Sequence, residues 1–303
     1  MQRTVEQPVA SAEELKEDLT RAWLELQACL VESDGYLGEL SLELDAGQLD
    51  QLFDFLTKML IQNRSLNLSA ITDPQDVINL HVLDSLSLLP LVDQEVRKMQ
   101  QKKAKMTSNK EDCPVLRLLD VGTGAGFPGV PLKIARPELE IHLLDALAKR
   151  LRFIDNSLKR LSFATQTNFE TQDPEGFGDT SPYPAVKLLH ARSEELAHDP
   201  VYRESYDFVT ARAVARLAAL LEYCLPLVKP GGVFCAMKAK VDDELAEASH
   251  AAHILGAELE KRVDFDLPLA AGERTLLIYR KQKACPAKYP RHNNQIKKAP
   301  LIG

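Results

Sequence analysis

Residues 120–129, with the sequence DVGTGAGFPG, constrain the fold of this chain more than any other feature. They follow an apolar run at 115–119, which predicts a short buried strand with Asp120 at its carboxyl end. Glycines at every second position allow a sharp turn and let the backbone approach a ligand where a Cβ atom would collide. A helix is expected to start near Pro131, with its first amides facing the loop. The segment therefore predicts a nucleoside-binding loop at the carboxyl edge of an α/β sheet.

Two details distinguish this loop from a dinucleotide-binding loop, although its Gly-x-Gly-x-x-Gly spacing also matches that fingerprint. Asp120 puts a carboxylate where a pyrophosphate would be repelled, and Pro128 removes an amide donor from the first helical turn. The spacing of Asp120 with Gly122, Gly124 and Gly126 resembles motif I of the class I S-adenosylmethionine-dependent methyltransferases. A turn without a ligand would explain one glycine but not three glycines spaced with an acid.

The later strands of the predicted sheet also end in polar residues. The strand at 140–145 ends in Asp145, about twenty residues past the loop, where such folds place a carboxylate on the ribose hydroxyls. The strand at 186–190 precedes a loop that is expected to contact the adenine base. A fourth strand at 206–210 follows, and a tight turn at 229–232 leads into a fifth at 233–238. The segments 258–266 and 274–279 predict an antiparallel end of the sheet, and 165–184 a surface insertion.

The distribution of charge is more informative than the net charge of −7. Residues 1–60 hold 13 acids and 4 bases, whereas residues 274–303 hold 8 bases and no acid. The basic end modestly favours a polyanionic partner over a merely solubilising tail.

No apolar run is long enough for a membrane span, and the five scattered cysteines indicate core thiols rather than metal ligands or disulfides. A reducing cytoplasmic location and no bound metal are expected.

Helical periodicity dominates the first part of the chain, with predicted helices at 12–32, 37–44, 46–63 and 73–89. In the last of these, His81, Asp84 and Ser85 share one face at i, i+3 and i+4. From spacing alone, a polar face with local hydrogen bonds is favoured over a cluster that overlooks the cofactor.

The chain is predicted to have four divisions. They are an acidic helical extension (1–45), N-terminal helices with a linker (46–112), a methyltransferase domain (113–282) and a basic tail (283–303).

Several ordered motifs together resemble the RsmG family, also called GidB. They are Asn67-Leu68-Ser69, Asp73-Pro74, His81-x-Leu83-Asp84-Ser85, residues 120–132, Leu143-Leu144-Asp145, Lys149-Arg150, Ala191-Arg192-x-Glu194 and Ala211-Arg212-Ala213. The resemblance implies a class I fold, that is, a Rossmann-like α/β fold with a mostly parallel seven-stranded sheet, here with an N-terminal helical extension. It also implies transfer of a methyl group to N7 of a guanine, nucleotide 527 in the 530 loop of 16S rRNA in the small ribosomal subunit.

The resemblance further implies a set of cofactor contacts. Matched residue by residue, the contacts to S-adenosylmethionine are Gly122, Phe127, Ser193, Glu194 and Arg212. Gly124, Gly126 and Asp145 join them through the loop and ribose arguments above. Because the family motifs include His81, Asp84 and Ser85, the resemblance favours a cluster at the site over a polar helix face with only local hydrogen bonds. The expected substrate-binding residues are His81, Asp84, Ser85, Arg192 and Lys238.

No catalytic residue is expected, because guanine N7 already carries a free lone pair and no proton needs to leave. Arg192, Arg212 and Lys238 are expected to hold phosphates or base edges, and alignment of the reactants is the main source of rate. A monomer is expected. Two alternatives remain open at this point: a small-molecule methyltransferase on the same fold, and a non-catalytic ribosome-assembly factor that only senses the cofactor. Whether the substrate is naked rRNA or an assembled particle is also open.

Overall fold

The computed structural model describes residues 10–40, 42–106, 114–170, 181–212, 214–239 and 241–302. In these ranges the α-helices are α1 Ala12–Val31, α2 Gly35–Gly38, α3 Ala46–Leu66, α4 Pro74–Asp76, α5 Asp84–Leu86, α6 Leu89–Met106, α7 Gly129–Ala135, α8 Ala148–Arg160, α9 Ser193–Leu196, α10 Leu217–Cys224, α11 Asp242–Ile254 and α12 Asn293–Lys298. A π-helical segment, Val77–Leu83, joins α4 to α5, and a 3₁₀ turn, Leu225–Leu227, follows α10.

One sheet runs through the described chain, with the strands β1 Arg117–Val121, β2 Glu140–Asp145, β3 Thr165–Thr167, β4 Val186–His190, β5 Tyr206–Arg212, β6 Val228–Lys238, β7 Ala257–Leu267 and β8 Gly272–Lys281. Their order across the sheet is β3-β4-β2-β1-β5-β6-β8-β7. The pairs from β3 to β6 are parallel, whereas β8 runs antiparallel to both β6 and β7. The predicted α/β class and its antiparallel end are confirmed.

The sheet has eight strands, so the expected number of seven is wrong by one. The additional strand is β3, which pairs with β4 at the edge of the sheet through Thr165, Gln166 and Thr167. These residues fall in the stretch predicted as a surface insertion, because their polar composition gives no apolar strand signal. Residues 171–180 of that stretch lie outside the described residues.

Strand β1 lies in the middle of the sheet and determines where a ligand can bind. It pairs with β2 on one side and with β5 on the other, with Val121 opposite both Leu144 and Ala211. The chain therefore leaves β1 at the point where consecutive strands diverge to the two halves of the sheet. In open α/β sheets, ligands bind in the crevice at the carboxyl ends of the strands at such a point.

Three other predicted local structures differ from those observed. The weak helix expected over 37–44 is a short helix at Gly35–Gly38, and residues 42–45 are not helical. The expected turn at 229–232 belongs to β6, because the chain continues along β5 with a register shift between Tyr206 and Phe208. The helix expected over 73–89 begins as predicted, with Asp73 capping the amides of Gln75 and Asp76. It then widens into the π-helical segment, in which the amide of Asp84 donates to the carbonyl of Asn79. Sequence periodicity does not distinguish this widening from an α-helix.

The N-terminal helices pack against the sheet rather than standing apart from it. Helices α1 and α3 each begin with a capping box, at Ser11 and at Asp45. Trp23 of α1 lies edge-on to Phe53 of α3, with ring centroids 6.5 Å apart. Phe55, fully buried on α3, contacts Phe127 of the glycine loop, with ring centroids 5.7 Å apart. Among the described residues, no helix combines the length and the apolar content that a membrane crossing requires.

Candidate functional site

The glycine loop after β1 has the tight geometry that its sequence predicts. The amides of Gly122 and Thr123 both donate to the carbonyl of Leu144, at 2.8 and 3.0 Å, which fixes the loop to the end of β2. Gly122 has a φ of +74°, and a Cβ atom there would lie 2.8 Å from Cγ2 of Val214. A side chain at this position is therefore excluded both by backbone conformation and by contact.

Asp120 lies beneath the loop and supports it. The side chain is fully buried, and its Oδ2 accepts hydrogen bonds from the Thr123 hydroxyl at 2.7 Å and the Gly129 amide at 3.0 Å. Oδ1 has no hydrogen-bond partner. Burial raises the pKa of Asp120 to about 6, so the carboxylate is mostly ionised at neutral pH. The loop therefore covers a negative charge, which suits a cationic ligand above it.

Asp145 connects the glycine loop to helix α8. Its carboxylate accepts hydrogen bonds from the Gly124 amide at 3.0 Å and the Leu147 amide at 2.8 Å, and Nη1 of Arg150 lies 3.3 Å from Oδ2. The carboxylate is thus held by several fixed donors at the end of β2. A second set of lone pairs on these oxygens remains able to accept from hydroxyl groups.

A cavity of about 570 Å³ opens beside the loop at the carboxyl ends of β1, β2 and β4. This volume lies in the range of about 300–1,000 Å³ that is typical of small-molecule sites. Predicted cofactor residues that line it are Gly122, Asp145, Ser193 and Glu194. Arg192, predicted to bind substrate, lines the same cavity. Apolar surface from Val121, Leu144 and Ala191, with the carboxylates of Asp145 and Glu194 nearby, suits a ligand that combines an apolar base with hydroxyl groups and a positive charge.

Arg212 points to the other side of the loop, into what we call the arginine cluster: His81, Asp84, Phe127, Arg212 and Arg274. Its Nη1 donates to the carbonyl of Leu80 at 2.8 Å and to Oδ2 of Asp84 at 3.1 Å. The guanidinium also lies over the Phe127 ring, 5.6 Å from its centroid. The structure therefore brings Arg212 and Phe127 together with the predicted polar face of the helix, which is more than a solvated surface.

His81 is the central ring of the arginine cluster. It stacks on Phe127 with centroids 4.4 Å apart and an interplanar angle of 10°. Its Nδ1 lies 3.1 Å from Nη2 of Arg212, which can only donate, so Nδ1 is the acceptor and the proton is on Nε2. Nε2 then donates to the Ser69 hydroxyl at 2.8 Å. Burial and the positive charge of Arg212 lower the pKa of His81 to about 3, so the ring is neutral at physiological pH.

Asp84 is shared between two arginines. Besides the contact with Arg212, its Oδ1 lies 3.3 Å from Nε of Arg274, which comes from the start of β8. The Asp84 side chain is only 4% exposed, and each arginine side chain 17%. A buried carboxylate requires such pairing. The cluster thereby joins the π-helical segment, the glycine loop, β5 and β8.

Ser85, Lys238 and Gly126 neither line the cavity nor belong to the arginine cluster. The Ser85 hydroxyl donates to the His81 carbonyl of its own helix. Lys238 donates to the Ala215 carbonyl at 3.0 Å and forms an ion pair with Glu244 at 2.8 Å, which places it behind the cavity wall. Gly126 lies within the loop, where a Cβ would meet Val130 at 2.8 Å.

Sequence reasoning did not identify several residues of this region. Arg274 carries no motif, and its contact with Asp84 depends on the antiparallel pairing of β8. Tyr223, Asn293, Ile296 and Lys297 also line the cavity, although the last three belong to the segment predicted only as a basic tail. Helical spacing would have indicated Ile296 as a buried residue, but not the surface that it covers.

The fold and the site together define a class I S-adenosylmethionine-dependent methyltransferase. The sequence matches the GidB family, described as "rRNA small subunit methyltransferase G", over residues 48–180 and 175–268. The chain therefore belongs to this family.

Relatives are similar over nearly their whole length. A protein of Acetivibrio thermocellus named "Ribosomal RNA small subunit methyltransferase G" is 37% identical over 278 residues, which are 92% of this chain and 98% of the relative. A protein of Lachnoclostridium phytofermentans with the same name is 41% identical over 268 residues, 88% of this chain and 95% of the relative.

Proposed function

We propose that the protein transfers the methyl group of S-adenosylmethionine to N7 of a guanine in 16S rRNA, nucleotide 527 in the 530 loop of the small ribosomal subunit. The observation that carries the proposal is one cavity at the carboxyl edge of the sheet, lined by Gly122, Asp145, Ser193 and Glu194, in a chain of the rRNA small subunit methyltransferase G family. We also propose that it acts in the cytoplasm as a monomer.

The contacts of the cavity support a definite orientation of the cofactor. The Asp145 carboxylate would accept from the ribose hydroxyls, and the turn at Arg192, Ser193 and Glu194 would face the adenine. The methionine end would then extend along the glycine loop toward Phe127 and Arg212. When bound, S-adenosylmethionine supplies a methyl group on a positively charged sulfur.

Methylation of guanine N7 requires no proton transfer by the residues near the methyl end. Guanine N7 attacks through its lone pair, the N7–carbon bond forms as the carbon–sulfur bond breaks, and the positive charge passes to the guanine ring. His81 is neutral with its Nε2 proton donated to Ser69, so it would serve as a positioning group rather than an acid. The described site thus favours catalysis by alignment and by electrostatic stabilisation.

Exposed bases beside the cavity support a polyanionic substrate. Helix α8 begins three residues after Asp145 at the cavity edge, and it carries exposed Lys149, Arg152 and Arg160. Such side chains suit contacts with phosphates, which orient RNA without reading its sequence. Of the five residues expected to bind substrate, a base contact is proposed for Arg192, which lines the cavity. His81, Asp84, Ser85 and Lys238 are bonded within the protein and would position the site rather than touch the base.

The test is to incubate the purified protein with labelled S-adenosylmethionine and small subunits, or naked 16S rRNA, from cells that lack the modification. Any 7-methylguanine is then mapped by reductive strand cleavage. A single cleavage in the 530 loop is expected, and the better substrate identifies the acting form of the RNA. Cofactor binding without label in RNA would overturn the proposed substrate.

A further inference from the structure

The C-terminal segment, residues 286–302, is folded against the same side of the sheet as the cavity. Ile296 of α12 is fully buried, and Tyr289 is 6% exposed. Both pack in one core with residues of α10, including Leu221 and Tyr223. A segment that buries apolar side chains in this way is part of the folded structure and not a free basic end.

A buried carboxylate on α10 fixes this segment. Glu222 is fully buried, and its Oε1 accepts from the amide of Arg291 at 2.8 Å and from Nε of Arg291 at 2.9 Å. Its Oε2 accepts from Nη2 of Arg291 at 2.6 Å, and the same Nη2 donates to the Ala299 carbonyl at 2.9 Å. Because an unpaired charge at this depth is costly, Arg291 and Glu222 stabilise each other only in the docked arrangement.

Arg203 and His198 fix the beginning of the segment from the opposite side. Arg203 donates to the Tyr289 carbonyl at 2.8 Å and to the Cys285 carbonyl at 3.0 Å. His198 Nε2 lies 2.9 Å from the Pro290 carbonyl, and it is the donor since a carbonyl only accepts. These bonds and the Glu222–Arg291 pair together fix the path of the chain that leads into α12.

The docked segment forms one wall of the cavity described above. The wall residues are Asn293, Ile296, Lys297, Pro300 and Ile302. The Asn293 Oδ1 accepts the Tyr223 hydroxyl at 2.6 Å, so the amide oxygen is engaged and the NH2 group is left to donate. Tyr223 lines the cavity as well.

The wall lies at the adenine end of the proposed site. Burial raises the pKa of Tyr223, the carboxylates of Glu194 and Glu222 raise it further, and Arg192 opposes them. Helix α9, which begins at Ser193, packs against α10, which carries Tyr223, and Tyr223, Asn293, Arg192 and Glu194 line the same cavity. The Tyr223–Asn293 pair therefore lies beside the turn of Arg192 and Glu194. That turn is the part of the cavity assigned to the base.

We propose that residues 286–302 are a wall of the cofactor site and that Asn293 is a cofactor-binding residue, donating its amide N–H to a ring nitrogen of the adenine. The proposal rests on the placement of the cofactor given under Proposed function. Tyr223 orients the Asn293 amide, and Arg291 is a positioning residue that holds the wall in place through Glu222.

The test uses two adjacent asparagines of the full chain. Asn293 lines the cavity, whereas Asn294 is exposed and does not. Calorimetric titration with S-adenosylmethionine should show binding about tenfold weaker for Asn293→Ala, the loss expected for one hydrogen bond with its buried partner. Asn294→Ala should bind like the wild type. The KM of Asn293→Ala for S-adenosylmethionine should rise in parallel with the Kd.

Variants at Tyr223 and Arg291 separate loss of a contact from a general loss of structure. Tyr223→Phe should weaken cofactor binding, and the double variant with Asn293→Ala should be no weaker than the stronger of the two single effects, because both act through one amide. Arg291→Gln should raise the KM for the cofactor and leave the KM for RNA unchanged. Arg291→Lys should recover part of this loss, since it keeps the charge but not the paired geometry.

Asp145→Ala distinguishes failure of this inference from failure of the cofactor placement. Wild-type affinity in Asn293→Ala, with weakened binding in Asp145→Ala, would overturn the role of Asn293 while leaving the cofactor in the cavity. Wild-type affinity in both variants would overturn the placement and the inference together. Equal losses in Asn293→Ala and Asn294→Ala would also overturn the proposed contact.

Discussion

The two sides of the glycine loop differ in how their polar groups are satisfied. On one side, Asp145 and Glu194 border a cavity of about 570 Å³. On the other, Arg212 is already bonded to the Leu80 carbonyl, Asp84 and His81. The open side has room for a ligand to bond its polar groups, whereas Arg212 in the arginine cluster already has its partners within the protein. Substitutions should therefore affect ligand affinity on the open side and stability together with rate in the cluster.

Arg212→Ala should have the largest effect. It leaves the Leu80 carbonyl without its donor and the buried Asp84 with Arg274 as its remaining partner, so the free energy of unfolding should fall by about 3 kcal/mol. Cofactor affinity and methylation rate should fall together, the rate by about 100-fold or more, because the loop loses its support at Phe127. Urea titration, calorimetry and the rRNA methylation assay measure these losses. The exposed Arg21→Ala is the control, and unchanged affinity and rate in Arg212→Ala would contradict the assignment.

The lowered pKa of His81, in the arginine cluster, predicts that the free energy of unfolding depends on pH. Its folded pKa of about 3 lies below the ordinary 6.5, so the unfolded chain binds the extra proton between these values and the folded protein does not. The stabilising contribution is full above pH 6.5 and is lost as the pH falls, by up to about 1.4 kcal/mol per pH unit.

The measurement compares the wild type with His81→Gln, which cannot titrate. Free energies of unfolding from pH 7 to pH 4.5 should fall more steeply in the wild type. Parallel curves for the two proteins would show that His81 is not held neutral. The Asp120 carboxyl, with its raised pKa, acts with the opposite sign in both proteins and cancels from the difference.

Asp145→Ala should affect the open side first. Loss of the carboxylate removes the acceptor for the ribose hydroxyls and the anchor of the Gly124 amide. The Kd for S-adenosylmethionine should rise about 10- to 100-fold, which corresponds to about 1.4–2.8 kcal/mol. Calorimetric titration measures the change, with the partly exposed Asp54→Ala as control. A large fall in stability with unchanged Kd would erase the distinction between the two sides.

Lys238→Ala should have the smallest effect. The ammonium group holds Glu244 and the Ala215 carbonyl behind the cavity, so we expect a loss of about 1 kcal/mol in stability. The salt dependence of RNA binding should not change. If Lys238 instead contacted a phosphate, the slope of log K against log salt would decrease by about 1, which filter binding at several salt concentrations would detect.

The sequence predicted the parts of the site that depend on local pattern. The glycine spacing and the acid at the end of β2 placed Gly122 and Asp145 correctly at the carboxyl edge, because parallel strands align their ends. The polar face of His81 and Asp84 was visible from helical spacing, but its partners were not. Arg212 and Arg274 reach that face only through pairing across the sheet, which no local pattern encodes.

The additional strand and the cavity wall were missed for different reasons. Thr165 to Thr167 form a strand since the edge of β4 offers backbone partners, although their side chains have no apolar alternation. Counting charges in the C-terminal segment concealed its structure, because Arg291 is the partly buried ion-pair partner of the buried Glu222 and not a solvated base. Net charge describes a segment in water and does not reveal which of its charges are paired.

The chain separations within the arginine cluster have a consequence for folding. Arg212 and the Leu80 carbonyl are 132 residues apart in sequence, and Arg212 and Asp84 are 128 apart. Closing such long loops is slow compared with forming local helices, because the entropy of closure is lost before the contact is made. The cluster is therefore expected to form late, after the central strands have assembled, so that the support of the methyl-transfer region appears only in chains that have nearly completed folding.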